Sequence, residues 1–280
     1  MSIKIITDSA SDIVANRRND LIVIPMTISF GDEEYQDGVT LTHYEFYEKL
    51  IESEALPTTS QITPFAFEEA AREIVNAGDT AIIITMSGKL SGTYQSACIA
   101  ASAFEGKVFA VDSENAAMGE KALVQYALDL VDAGLDAQSI VDKLNTEKKN
   151  IRLIALLDTL EYLKKGGRIS KAVAFAGNIL SIKPVITVVD GEVALLGKAR
   201  GSKQGNNFLA EKIKESGIDF SKPYFLGYTG LTDALLQKYI KDSEAFWKNH
   251  TEDLPIGTVG GTIGTHVGPG AIAVAFFAKN

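Results

Sequence analysis

Of the chain's 280 residues, 46% are hydrophobic and 22% charged, with a formal net charge of -9; this suits a soluble globular protein with a sizeable buried core and length for two ordinary domains. The acidic surplus argues against a general nucleic-acid binder, because phosphate backbones are held mainly by clustered Lys and Arg. The single cysteine, Cys98, excludes an intramolecular disulfide and reads as a small core residue, and the longest apolar run near the end, 271–278, is too short to cross a bilayer.

The opening MSIKIITDSA has neither the cationic leader nor the long apolar core of a signal peptide, so a cytoplasmic location is expected. Residues 3–7 read as a buried strand, and the polar turn from Asp8 to Asp12 offers several N-caps for a short helix from about Ile13. Residues 21–30 give a second strand and 31–38 a turn or hairpin, and Thr42 with Glu45 forms a capping-box pattern ahead of a helix over 44–53. Residues 57–64, bracketed by prolines, form a loop dense in hydroxyls. A helix over 65–76 follows.

The run AIIITMSGKLSGTYQSA, 81–97, is then a strand, a glycine turn containing Ser87, Gly88, Ser91 and Gly92, and the start of a helix over 93–104. Such a turn collects free N–H groups and hydroxyls where the helix dipole favours an anion. Another strand over 107–111 and helices over 116–133 and 137–148 complete an alternation of strand and helix. That alternation predicts an α/β fold with a doubly wound, mostly parallel sheet. Ligands gather at the carboxyl ends of such strands, where four polar turns fall: Asp8 to Ser11, the Thr59 loop, Ser87 to Gly92, and Asp112 to Ser113.

The polar run 145–150 is the best domain boundary, dividing the chain into 1–150 and 151–280. Beyond it lie a strand over 152–157, a helix over 158–165 stopped by Gly166-Gly167, and a helix over 172–182 that is apolar on nearly every face and should be buried or line an apolar cavity. Strands over 182–189 and 192–200 flank Asp190-Gly191, a two-residue hairpin signal, so this half is an α+β unit with a mixed sheet. Helices over 203–216 and 233–249 and strands over 224–229, 256–259 and 271–277 complete it.

Several chemistries can be weighed on these residues. Ser87-Gly-Lys-Leu-Ser-Gly92 lacks P-loop spacing, since Lys89 is followed by Leu90, and no G-x-G-x-x-G follows any strand. A serine hydrolase or acyl transferase using Ser91 as nucleophile and His266 as base has the right chain order but not the glycine spacing of a nucleophile elbow. Ser87 and Ser91 as plain helix caps is a further reading. No metal site is expected: His43, His250 and His266 are far apart, and no Cys or carboxylate cluster has ligand spacing. His43 and His250 read as solvated. His266, in a tight loop formed by 264–270, is either a loop hydrogen-bonder or a carboxylate ligand. Arg168 and Arg200 are each readable as surface charges; Arg168 is more suggestive because its loop leads into the apolar 172–182 segment.

Together, ITDSASD near the start, TSQ at Thr59, SGTYQSA at Ser91, LEYLKKGGRIS ending at Ser170 and GTHVGPGA ending at Ala271 make the chain resemble the DegV family of bacterial lipid-binding proteins, which includes the fatty-acid-binding subunit of bacterial fatty acid kinase. The resemblance spans essentially the whole chain. It implies two α/β domains with a long-chain fatty acid buried between them, and a carrier without catalysis or a cofactor of its own. The implied carboxylate ligands are Thr59, Ser91, the Gly92 N–H, Arg168 and His266. It further implies a separate ATP-binding kinase subunit that phosphorylates the bound acid, with Arg200 in KARGSK at the docking position. Transient contact with a membrane surface stays open.

Overall fold

The structure is a computed structural model and describes residues 2–14, 18–169, 182–248 and 253–279. Four strands, β1 (Ile3–Asp8), β2 (Leu21–Ile24), β6 (Thr80–Thr85) and β7 (Val108–Asp112), form a parallel sheet in the order β2-β1-β6-β7. Every residue of β6 is buried, as a β-branched run covered on both faces requires. Side chains alternate between two cores. Ile6, Ala81 and Ile83 face Phe67, Ala71 and Ala97 on the helices Pro64–Asn76 and Thr93–Ser102, whereas Ile5, Ile82 and Ile84 face Ala122, Leu123 and Ile140 on Met118–Asp132 and Ala137–Glu147.

The expected single strand over 21–30 is two strands. Pro25 has no N–H to give a ladder, and the chain breaks there. After it, β3 (Thr27–Phe30) enters a separate antiparallel sheet with β4 (Glu33–Gln36) and β5 (Thr58–Ser60), in the order β4-β3-β5. The hydroxyl-rich stretch 57–64 is therefore partly ordered as a strand, and Thr59 pairs with Ile28. The helix expected from Ile13 is also absent among the described residues; Asp8 instead caps a single 3-10 turn, Ser9–Ser11, that closes on Asp12 at φ +54.

The remaining strands are β8 (Ile151–Leu156), β9 (Ile182–Val189), β10 (Glu192–Arg200), β11 (Tyr224–Tyr228), β12 (Ile256–Thr258) and β13 (Ile272–Phe277). They form a mixed sheet in the order β10-β9-β8-β13-β11-β12, parallel only between β11 and β12. Asp190 and Gly191, both at positive φ, make the tight β9–β10 turn. Met118–Asp132 packs against β1 and β6 as well as β8, β11 and β13, so one helix is shared between the two large sheets. That is why it buries Met118, Ala122, Leu123, Val124, Ala127 and Leu128 on more than one side.

Three further expectations change. The helix over 233–249 is interrupted at Ser243, giving Ala234–Asp242 and Glu244–Trp247. The loop assigned to 264–270 is half helix: Gly261–Val267 is helical, and only Gly268-Pro269-Gly270 forms the turn into β13. His43 is half-buried rather than solvated, and burial lowers its pKa below the ordinary histidine value; Cys98 is likewise half-buried, not core. The apolar segment 172–182 up to residue 181, and His250, lie outside the described residues.

Candidate functional site

A cavity of about 220 Å³ lies between the parallel sheet and the mixed sheet. Thr59, Ser91, Gly92, Arg168 and His266 all line it, brought together from four separate loops and short elements. Its remaining wall is largely apolar, including Met26, Met86, Leu153, Ile186, Val188 and Ile263.

Pairing of β5 with β3 sets Thr59, whose Oγ1 lies 3.0 Å from His266 Nε2. His266 ends the Gly261–Val267 helix. That helix is rich in glycine and threonine, poor helix formers, yet close packing needs them: a Cβ on Gly261 would stand 2.5 Å from Ile28 Cδ1, and one on Gly264 would stand 2.6 Å from Phe46 Cε1. Burial, aided by the nearby Arg168 charge, lowers the His266 pKa to about 4. The imidazole is therefore neutral at pH 7. Its Nδ1 faces Gly166 and has no hydrogen-bond partner among the described residues.

Arg168 follows the Gly166-Gly167 helix stop and is held over the cavity by an isolated bridge between Ile169 and Val193. Its Nε donates to the Leu90 carbonyl at 3.2 Å and Nη1 to that of Gly166 at 2.5 Å, so it ties the serine loop to the loop beside His266. Ser91 Oγ lies 2.9 Å from Thr93 Oγ1 and accepts from Thr93 N–H at 3.3 Å. Gly92 is the N-cap of Thr93–Ser102 and makes no side-chain cap bond of its own; it lines the cavity, so the start of the helix borders it. A Cβ there would overlap Gln61 Oε1, so a larger residue would require the Gln61 side chain to move.

Ser87 plays a different part. It is fully buried and donates to the Gly191 carbonyl at 2.8 Å, pinning the β9–β10 hairpin over the cavity. Arg200 is exposed where β10 meets the Gly201–Ser216 helix, away from the cavity, and its N–H donates to Gln204 Oε1. Gln61 and Thr262 line the cavity without having been singled out in the sequence. Gln61 stands two residues after Thr59 in TSQ; Thr262 became visible only once 261–267 was helical, since it lies one turn before His266.

The Asp8–Asp12 and Asp112–Ser113 turns do not line the cavity. Asp8 accepts from Ala10 and Met86 N–H, Asp12 from Gly260 N–H, and Asp37 from Gly261 and Thr262 N–H and from Ser9 Oγ. Asp12 and Asp37 thereby fix the N-terminus of the His266 helix. Burial pushes Asp8 up to about 7 and raises Glu120 and Asp12 well above the usual carboxylate range. Among the described residues, no group of three or more His, Cys, Asp or Glu is arranged to hold a metal, and no helix is long and apolar enough to cross a membrane.

Known proteins share this fold. A DegV domain-containing protein from Caldanaerobacter subterraneus is 34% identical over 282 residues, covering 99% of each chain. A DegV family protein from Thermus thermophilus, described as fatty acid binding, superposes with a TM-score of 0.89 at 30% identity over 100% of both chains. The fatty acid binding DegV family protein of Streptococcus agalactiae gives 0.86 at 28% identity, again over 100% of both. The profile described as "Uncharacterised protein, DegV family" matches residues 2–279, and the chain belongs to the DegV family.

Proposed function

We propose that this chain is a carrier that binds one long-chain fatty acid in the cavity, with the carboxylate at the Thr59–Ser91–Arg168–His266 end and the tail in the apolar remainder. The observation that carries the reading is the convergence of these polar groups and the helix start at Gly92 on a cavity whose remaining wall is largely apolar. Desolvating a carboxylate is costly unless several donors meet it. A neutral His266 suits such a site, because with Nε2–H donating to Thr59 Oγ1 the Thr59 hydroxyl proton is free for the carboxylate. Burying about sixteen carbons at roughly 0.8 kcal/mol each gives on the order of 10 kcal/mol gross, so the tail supplies most of the affinity and the polar end sets direction.

In this reading 1–150 and 151–280 act as two domains with the acid between them, and a separate ATP-binding subunit phosphorylates the carboxylate. Arg200, exposed and outside the cavity, is the proposed docking residue for that subunit. Fatty-acid binding by the Thermus and Streptococcus relatives supports the ligand class. The hydrolase alternative draws no support from the geometry, since Ser91 hydrogen-bonds to Thr93, His266 to Thr59, and His266 Nδ1 has no carboxylate partner among the described residues.

Denaturing mass spectrometry of freshly purified protein tests the reading. It should release a long-chain acid, and the triple change Thr59→Ala, Ser91→Ala, His266→Ala should lower its retention. Protein recovered free of lipid that also fails to take up added fatty acid would end it.

A further inference from the structure

We propose that Thr262 is a second reading group in the cavity, one that recognises a hydroxyl carried on the acyl chain near its carboxyl end. The inference rests on the fatty-acid reading above. Thr262 lines the cavity and is 2% exposed, and its Oγ1 has no hydrogen-bond partner among the described residues. Its backbone N–H is already given to Asp37 at 3.1 Å, so residue and helix are held in place while the hydroxyl is not used. The contrast with Thr265 on the same helix is direct: that hydroxyl is spent on the Gly261 carbonyl at 2.9 Å, four residues back. Four residues back from Thr262 is Thr258, which lies in β12 and outside the helix.

Buried hydroxyls are nearly always paired, so an orphan beside a ligand cavity calls for a partner. Thr262 and His266 are four apart on one helix, which puts their Cβ atoms about 6 Å apart on the same face, and helical side chains lean toward the N-terminus. His266 therefore leans toward Thr262. An acid whose carboxylate meets His266 and Thr59 carries its first carbons past Thr262. Met26, Ala116, Ala117 and Ile263 also line the cavity, and their side chains supply no oxygen or nitrogen acceptor. An unsubstituted chain leaves the Thr262 hydroxyl unpaired, whereas a hydroxyl on carbon 2 or 3 forms one hydrogen bond with it, as donor or as acceptor.

Competition binding with hexadecanoic acid and its 2-hydroxy and 3-hydroxy forms tests this in the wild type, in Thr262→Val, which keeps the shape and removes the hydroxyl, and in Thr262→Ser, which keeps the hydroxyl. One of the hydroxy acids should bind the wild type about fivefold to tenfold more tightly than the unsubstituted acid. Thr262→Ser should keep that ratio and Thr262→Val should abolish or invert it. A wild type with no such preference overturns the inference whatever the variants do, as does an unchanged ratio in a folded Thr262→Val. Failure of all three acids to bind the wild type is a separate outcome, and it overturns the fatty-acid reading along with this one.

Discussion

The helix Gly261–Val267 has a buried polar region at each end, and the two use their hydrogen bonds in opposite ways. At its N-terminus, Asp12 and Asp37 accept from three successive backbone N–H groups, Gly260 to Thr262, and Tyr47 Oη donates to the Val259 carbonyl. There the chain supplies acceptors for the backbone N–H groups, while Asp12 Oδ2 and Thr262 Oγ1 have no hydrogen-bond partner among the described residues. At the C-terminus, the His266 ring has Thr59 as its one hydrogen-bond partner among the described residues and faces a cavity shared with Ser91, Gly92 and Arg168. Buried polarity alone therefore does not mark a ligand site. What separates the two ends is that the backbone donors at the N-terminus are consumed by Asp12 and Asp37, whereas the groups at the C-terminus face the cavity.

The largest effect should come from breaking the N-terminal region. Asp37→Ala leaves the Gly261 and Thr262 N–H groups and Ser9 Oγ without their acceptor. Each orphaned buried donor costs about 1–3 kcal/mol, so a loss of about 3 kcal/mol or more in urea unfolding is expected. A loss below about 1 kcal/mol would contradict the assignment of Asp37 as an anchor. Gly191→Ala comes next, at about 2 kcal/mol, because φ is +82 and the new Cβ would lie 2.5 Å from Ser87 Oγ. Adding Ser87→Ala should recover part of that loss by removing the clashing oxygen; no recovery in the double variant would mean the hairpin is not held there.

Changes at the C-terminal end should spare stability and weaken ligand. Ser91→Ala or His266→Gln should each reduce fatty-acid affinity about tenfold, or about 1.4 kcal/mol, with little change in urea midpoint. An Asp37-like collapse in stability would erase the distinction between the two ends.

The smallest effects separate the regions by pH. His266 titrates lower in the folded chain, at about 4, than its ordinary 6.5, so the stability it contributes is present above pH 6.5 and is lost as pH falls through 4. Asp8 titrates higher, at about 7 instead of 3.8, so its contribution is full below pH 3.8 and is lost as pH rises through 7. Both act between about pH 4 and 7 with opposite sign, so His266→Gln should remove a loss of stability toward acid and Asp8→Asn a loss of stability toward neutral pH. Parallel profiles for both variants would contradict the opposite signs.

Much of this arrangement was legible in the sequence. The β-branched run of β6 and the strand–helix alternation point to the parallel sheet, and the glycine-serine turn after β6 points to an anion. Naming Thr59, Arg168 and His266 as partners of that turn required the family resemblance, since Thr59 and His266 alone stand about two hundred positions apart and no local period links them. The Asp8–Asp12 turn looked as eligible as the Ser91 turn, because sequence shows acceptors without showing which N–H groups consume them. The helix under His266 stayed hidden for a packing reason: Gly261 and Gly264 oppose helix by propensity, and only the nearness of Ile28, Phe46 and Tyr47 explains them. Thr262 was hidden with it.

Carbon-13 NMR of hexadecanoic acid labelled at the carboxyl carbon tests the central claim most directly, by asking where the carboxylate sits. The account predicts one slowly exchanging resonance, distinct from free acid, that still reports an ionised carboxylate at pH values where free acid is protonated and that moves in Thr59→Val and His266→Gln. A bound resonance that titrates like free acid and is indifferent to both substitutions would contradict it.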